Sequence, residues 1–349
     1  MSQPIDKQRA RHILIVGGLA LTALVLAVTV SLLDARRGWQ PVMEGAVFTA
    51  WTDQASAVAE IEVNHGEDRF TVVRTGNAWV MPSRDNYPVR ADIIAGLDRL
   101  LSGLAYSGVR TADPAKYPAL GLAEPGEPGG GARLVVRDVD GAVLVEILAG
   151  ETRGGTLYFR LPGEPRSFAA DLAEGTSAAV LTQSADQWLD LGFLELGRTS
   201  IARVRIQPET GPAYTLERPA RSARNFALRQ PAGWTPITAG AGNGPAGALG
   251  RIRFRDVRQT ERLTGAIVGS HTAETFEGLE VTLDIIAQGE TRWARIRTRA
   301  LTDDAAEAAA RLAEQSEGWA YLLSDLALDR LLRPLGEIAD PRAGGPDAP

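Results

Sequence analysis

Arginines alternate with apolar residues in three stretches of the second half: Arg203/Arg205, Arg251/Arg253/Arg255 and Arg295/Arg297/Arg299. In an extended chain successive side chains point to opposite faces, so each set shares one face of its strand. Guanidinium groups suit phosphate or carboxylate, which they hold through paired N–H donors. Arg251, Arg253, Arg255, Arg295, Arg297 and Arg299 are therefore the candidate face for an anionic partner. The competing reading is a solvated outer face with cross-strand ion pairs. A two-residue turn at Gln288-Gly289 would set Glu280 opposite Arg297 and Thr282 opposite Arg295, which neutralises part of the stripe and favours this second reading.

Other patterns carry less. Gly242-Asn243-Gly244-Pro245-Ala246-Gly247 has dinucleotide-loop spacing. That chemistry needs a strand before the motif and a helix after it. The preceding residues make a poor strand and Pro245 interrupts the motif, so a loop is expected. Asp138-x-Asp140-Gly141 resembles the start of a calcium loop, but the twelfth position is Ala149 where a bidentate glutamate is needed. A hairpin turn accounts for it. Ser270-His271 with Glu274 and Glu277 has no accompanying nucleophile elbow or HExxH, so His271 reads as a lone surface histidine. Trp79 and Trp234 read as paired core aromatics rather than a stacking platform. No catalytic, cofactor or metal residue is assigned.

Composition narrows the chemistry further. The 349 residues include no cysteine, which excludes disulfides, thiolate metal sites and a cysteine nucleophile. Lys7 and Lys116 are the only lysines, and neither follows a glycine as a Walker-type phosphate loop requires. Three histidines, His12, His65 and His271, are too far apart in sequence for a His-rich metal site.

The elements that must position any such residues begin with an uncharged apolar run, ILIVGGLALTALVLAVTVSLL, at residues 13–33. At 1.5 Å per residue, 21 residues reach about 31 Å, the thickness of a hydrocarbon core. Lys7, Arg9 and Arg11 precede it, which favours a cytoplasmic N-terminus. The run is long for a cleavable signal, and residues 31–35 make a poor cleavage site. A retained signal anchor is expected, placing the body in the periplasm of a bacterial inner membrane. That body carries 32 basic and 41 acidic residues beyond residue 37, which argues against nucleic acid.

The body reads as one unit used twice. Residues 59–63 alternate as a strand, residues 69–74 and 78–81 follow, and residues 92–104 have helical apolar spacing. Residues 202–206, 214–218 and 254–258 repeat the first strand, the second strand and the segment 106–110 in the same order, with Trp234 standing for Trp79. Hairpins are predicted at Asp140-Gly141 and Gln288-Gly289, and helical ends at 169–191 and 305–338. The expected fold class is α+β: a transmembrane helix followed by two tandem, duplicated units of antiparallel sheet plus helix. The divisions are a cytoplasmic N-terminus (1–12), anchor (13–33), tether (34–56), first unit (57–199), second unit (200–339) and a disordered tail (340–349).

The order of motifs resembles a family, the DUF4340 proteins of bacterial envelopes. It rests on Arg74-Thr75-Gly76-Asn77-Ala78-Trp79, Tyr87-Pro88-Val89-Arg90-Ala91-Asp92, Tyr117-Pro118-Ala119-Leu120-Gly121-Leu122 and Gly155-Thr156-Leu157-Tyr158-Phe159-Arg160. In the second half it rests on Phe254-Arg255-Asp256-Val257 and Gly318-Trp319-Ala320-Tyr321. The resemblance implies a non-enzymatic auxiliary protein found beside ABC transporters and gliding-motility-type components, with no catalytic residues and no cofactor. Expected partners are the membrane, crossed once, an ABC permease or ATPase and a gliding-motility-type auxiliary protein. The alternatives are an envelope hydrolase with an unrecognised carboxylate site, or a periplasmic small-ligand-binding module using the groove between units.

The anchor is expected to survive in the mature protein. Intact mass and N-terminal sequencing of membrane-purified protein should show residues 1–33 present; a soluble periplasmic protein beginning near residue 36 contradicts this.

Overall fold

The computed structural model describes residues 18, 20–31 and 43–342. The cytoplasmic N-terminus (1–12), both ends of the 13–33 run, the first part of the tether and residues 343–349 of the tail lie outside the described residues. Residues 20–31 are helical and exposed. Among the described residues no helix is long and apolar enough to cross a membrane.

The body is α+β and built on two antiparallel sheets. The first lobe contains β1 (Val58–His65), β2 (Asp68–Thr75), β3 (Ala78–Met81), β4 (Tyr87–Pro88), α1 (Ala91–Gly103), β5 (Ala105–Val109), β6 (Ala132–Asp138), β7 (Val143–Arg153), β8 (Thr156–Arg160) and β9 (Ser167–Asp171). Their order across the sheet is β4-β3-β2-β1-β6-β7-β8-β9-β5. The second lobe contains β10 (Ile201–Gln207), β11 (Tyr214–Glu217), β12 (Ala227–Gln230), β13 (Trp234–Pro236), β14 (Val257–Gln259), β15 (Ile267–Thr275), β16 (Leu279–Gln288), β17 (Thr291–Ala300), α2 (Ala306–Ser316), β18 (Trp319–Leu322), α3 (Asp325–Leu331) and β19 (Ala339–Pro341). Its sheet runs β12-β11-β10-β15-β16-β17-β18-β14, while β13 and β19 form a separate ribbon.

Alternation explains both sheets. Ile61 and Val63 point inward from β1 and meet Val72 and Phe70 of β2 on one side and Val136 and Leu134 of β6 on the other. Val204 and Ile206 do the same from β10 against Leu216 and Tyr214 of β11. Ile61 and Val204 thus hold the same place in their sheets. On α1, Ile93, Leu97, Leu100 and Leu101 recur at helical spacing and form its buried stripe. The outward faces carry ion pairs: Arg137 with Glu60 at 2.6 Å and Glu62 at 3.2 Å in the first lobe, Arg203 with Glu217 and Glu274 in the second.

Several sequence expectations are corrected. Residues 169–191 are not a helical end. Gly175 adopts φ +76°, and Ser177 and Ser184 each start a short 3-10 turn, so the chain makes β9 followed by the turns Ala178–Thr182 and Ala185–Trp188. The 305–338 stretch is helical in two pieces, because Gly318 at φ +79° stops α2 and admits β18. Trp234 does not stand where Trp79 stands. It lies in the β13 ribbon opposite Pro341, and Phe226, beside Arg218, takes the place at the end of the second sheet's edge ladder. The tether is shorter than expected: Ala46 bridges to Ala105 and Trp51 is buried with its indole N–H on Asp98, so residues from 43 onward belong to the body. The tail likewise starts later, since Asp340 and Pro341 pair with β13.

The first hairpin keeps the register of a turn at Asp140-Gly141, with Val136 opposite Val145, up to a bulge at Arg137, whereas the second is shifted. At Asp138 the loop is longer than two residues: the carboxylate accepts the N–H groups of Asp140 and Ala142, and Gly141 supplies the left-handed conformation at φ +83°. The second turn falls at Gly289-Glu290, with Gln288 paired to Thr291. Glu280 therefore faces Arg299, Thr282 faces Arg297 and Asp284 faces Arg295. A shift of two keeps every side chain on its expected face but changes its partner.

The loop before β6 is fixed by backbone contact. Gly129 sits at φ +71°, and a Cβ there would lie 2.6 Å from the Pro118 carbonyl oxygen. Gly129→Ala combines left-handed strain with that clash and is expected to destabilise the protein by about 2–3 kcal/mol, read as a lowered urea midpoint with unchanged slope.

Candidate functional site

The chain leaves β3 through Pro82–Arg84 and then places two non-glycine residues, Asp85 and Asn86, in the left-handed region at φ 58° and 65°. Asp and Asn tolerate that region best among residues with a side chain, at a cost of roughly 1–2 kcal/mol each. Asp85 recovers that cost across the lobe boundary. Its carboxylate accepts the Gln259 N–H at 2.9 Å and pairs with Arg262 at 3.0 Å. Arg84 pairs with Asp256 alongside.

This turn delivers Tyr87 into an aromatic junction. Its ring meets Trp319 edge-on at 4.9 Å and Tyr321 at 6.2 Å. Tyr321 stacks on Phe254 at 4.7 Å, and Phe193 from the inter-lobe segment packs against both. The Tyr87 hydroxyl reaches the Asp190 carbonyl at 3.3 Å and the Tyr321 hydroxyl at 3.5 Å, while Tyr321 donates to the Gln315 carbonyl at 2.9 Å. Burial raises both phenols above the ordinary tyrosine range, so they remain neutral hydrogen-bonding groups.

Above the junction lies a groove of about 860 Å3 shared by the lobes. Tyr87, Phe193 and Trp319 give it an aromatic floor, and Arg90, Asp190, Arg253 and Glu314 give it charges of both signs. Arg90 holds Asp92 by two hydrogen bonds, at 2.6 and 3.0 Å, and depresses its pKa below the usual carboxylate range. Asp92 is therefore ionised at neutral pH, the opposite of what a general acid requires. An apolar floor with a few polar groups on the rim is the chemistry of a binding groove.

The six arginines singled out by spacing do not form one face. Arg295 and Arg297 both bind Asp284, at 2.9 and 2.8 Å, and Arg299 binds Glu280 at 3.0 Å. Asp284 is almost fully buried and its pKa is lowered: burial opposes ionisation, but the two arginines outweigh it. Arg253 lines the inter-lobe groove, and Arg255 is exposed in the segment leading to β14. Arg251 closes a 3-10 turn (Ala248–Arg251), and its side chain lies outside what is described.

The remaining motifs are structural. The glycine-rich segment expected as a loop instead forms a one-turn helix (Asn243–Ala246); Gly242 abuts Leu216 and Asn243 accepts the Phe226 N–H, so the segment anchors an edge of the second sheet. Ser270, His271, Glu274 and Glu277 do not converge: Glu274 pairs with Arg203 and Glu277 with Arg221. His271 is not a surface residue. It is fully buried, with Nδ1 at 3.0 Å from the Leu331 carbonyl and Nε2 without a partner among the described residues. Its alternation with Gly269 and Ala273 along β15 was the signal for an inward-facing position. Among the described residues, no group of three or more acidic or histidine side chains could hold a metal ion.

The body is thus two lobes, each built on one antiparallel sheet, with a groove at their junction. Residues 79–240 match the family model described as Domain of unknown function (DUF4340). The match carries the groove residues Tyr87 to Phe193, while Arg253 and Trp319 lie beyond it. No curated protein and no solved structure matches the chain.

Burial lowers the His271 pKa to about 4. An unfolded histidine binds its proton near pH 6.5, so stability should be full above that value and fall as the pH drops from 6.5 towards 4, by up to about 3 kcal/mol. Urea midpoints for wild type and His271→Gln across this range check it: the wild-type loss should exceed that of the variant.

Proposed function

We propose that this is a single-pass inner-membrane protein of the bacterial envelope whose periplasmic body acts, without catalysis, as an auxiliary or scaffolding part of an ABC-type transport or envelope complex. The observation that carries the reading is the helix at residues 20–31. Leu21, Leu24, Val25, Leu26, Val28 and Val30 are each more than half exposed, so no side of the helix turns to the body. Leaving such side chains in water forfeits roughly 1.5–3 kcal/mol apiece, whereas lipid accepts them on every face. The basic residues at 7, 9 and 11 support a cytoplasmic N-terminus. The transport context comes from the family resemblance.

The mixed-charge aromatic groove supports a body that binds rather than turns over. It equally favours a second reading, a small-ligand-binding module closing between its lobes. We further read the lobes as copies of one unit. Support comes from the common strand order and from the matching ladder positions of Ile61 and Val204.

Replacing residues 1–33 by a cleavable signal should leave the body folded but abolish complementation of a deletion strain, because anchoring supplies local concentration. A released body that complements fully overturns the scaffold reading. Crosslinking from membranes should recover a permease or ATPase with the anchored protein, and Trp319→Ser with Arg253→Glu should reduce that recovery at least tenfold. Recovery of a small ligand with no protein partner favours the second reading.

A further inference from the structure

The two sheets share a strand order, yet they close differently. In the first, β9 pairs with β8 along its whole length, from Thr156 opposite Asp171 to Arg160 opposite Ser167. In the second, β18 pairs with β17 only at Trp293, Ala294 and Arg295. Residues 296–300 of β17 overhang, paired to β16 on one side and to no strand on the other. Leu323 N–H donates to Arg292 O across the β18 side, and Leu301 N–H donates to Gly278 O across the β16 side. The period of two therefore turns the N–H and C=O groups of Ile296, Thr298 and Ala300 to the β18 side. The ladder with β18 ends in the Arg295–Ala320 pair, whose antiparallel geometry turns the Ile296 N–H to the Trp319 carbonyl, so the open groups are the Ile296 C=O and the N–H and C=O of Thr298 and Ala300, for which no hydrogen-bond partner beyond β17 occurs among the described residues.

A cavity of about 890 Å3 runs along this overhang, bounded by Ala313 and Ser316 of α2 and by Gly318, the residue before β18. Thr260 Oγ1, in its wall, is buried without a partner among the described residues. Open backbone groups in register with a short neighbouring strand are a template for one more strand.

Charges of both signs line the cavity: Glu261 and Glu317 stand in its wall, and Glu280 is paired with Arg299, while Arg297 and Arg299 flank the overhang itself. Arg297 and Arg299 use Nε and Nη2 on Asp284 and Glu280, and the Nη1 groups have no partner among the described residues. Both side chains are mostly exposed, at 61 % and 67 %. A second copy pairing antiparallel about Thr298 would set Arg297 against Arg299, and a shift of one residue sets Arg against itself; like charges directly opposite destabilise a ladder. We infer that the free edge of β17 at residues 296–300 binds an extended segment of a protein partner carrying acidic residues at alternate positions. The added strand would continue the line of β18 and place its carboxylates opposite Arg297 and Arg299. This inference is independent of the membrane reading, and its test reads peptide binding, not transport.

The probe is a fluorescein-labelled eight-residue peptide alternating glutamate and valine, titrated by polarisation against the full chain in detergent micelles. Saturable binding is expected, at least tenfold tighter than for the same peptide with lysine replacing glutamate. Methylating alternate backbone amides of the peptide should cost at least tenfold, as should Ala300→Pro, which removes one open N–H. Arg297→Gln with Arg299→Gln should abolish the preference for glutamate over lysine. Hydrogen exchange at Thr298 and Ala300 should slow when the peptide is added. Absence of binding, equal affinity for the glutamate and lysine peptides, or indifference to N-methylation overturns the proposal. So does a concentration-dependent dimer that protects the same two amides without peptide. Should Ala300→Pro fail to fold, the N-methylated peptide makes the same distinction on wild type.

Discussion

Asp85 is the residue on which the arrangement of the lobes turns. Its left-handed backbone would be unfavourable in isolation, and it is stabilised only because the carboxylate it presents finds Gln259 and Arg262 in the other lobe. Without that pairing the turn has no reason to hold its conformation, and the turn is what aims Tyr87 at Trp319 and Tyr321. The aromatic contacts then act on a geometry already set. Edge-on pairs contribute about 0.5–1.5 kcal/mol beyond the area they bury. The groove is a consequence of this junction: its floor is made of the aromatic rings that hold the lobes together. A molecule that pressed the lobes apart would therefore meet resistance from the same rings it contacted.

The sheets distribute charge by a second constraint. Apolar residues claim the inward positions of each strand, so charges fall on the outward ones. There they meet across strands at fixed spacing, and arginine is the cation best suited to that geometry because one guanidinium can serve two carboxylates. Arg137 bridges Glu60 and Glu62, and Arg203 bridges Glu217 and Glu274. Asp284 reverses the ratio, one buried carboxylate drawing two arginines. Exposed pairs of this kind contribute little individually. Their effect here is on register: a slip of one residue would expose the apolar face and break the whole outer ladder at once.

Much of this was legible from residue order. The strands at residues 59–63, 69–74, 78–81, 202–206 and 214–218, those of the two hairpins and the helix over residues 91–103 follow from apolar spacing, because burial on one face writes its period directly into the chain, whereas β8, β9, β12, β15 and β18 were not read from it. The second hairpin turn was legible in place but not in register: Gln288-Gly289 marked it, yet glycine took the first turn position and moved every cross-strand partner by two. Residues 169–191 misled because alanine and leucine fit a helix or a buried strand equally, and Ser177 and Ser184 decided the matter by capping short turns. Trp234 misled because a tryptophan after a glycine resembles Trp79 whichever strand it enters. His271 lay on the inward parity of β15, but a lone histidine is ordinarily exposed and the neighbouring glutamates drew the reading outward. The groove was the least legible feature. Its residues come from segments more than two hundred positions apart, Tyr87 and Trp319 at the extremes, and no local spacing encodes that they meet.

A body with two separate antiparallel sheets has more strand edges than one with a single sheet. Each lobe can bury its own helices against one face, but each also ends in edges that must be covered. The first lobe covers β5 with the bridge from Ala46 and closes β8 fully with β9. The second lobe shortens β18 and uses the chain so released for α2, which packs beside β17 through the Thr298 hydroxyl on the Ala309 carbonyl. That exchange leaves backbone groups uncovered in one lobe at the place where the other lobe is sealed. The inter-lobe groove draws on both lobes, whereas the open edge belongs to one, and the two surfaces adjoin along residues 313–319: Glu314, Gln315 and Trp319 line the groove, and Ala313, Ser316 and Gly318 line the cavity beside the edge. An occupant of either surface therefore meets the same turn between α2 and β18.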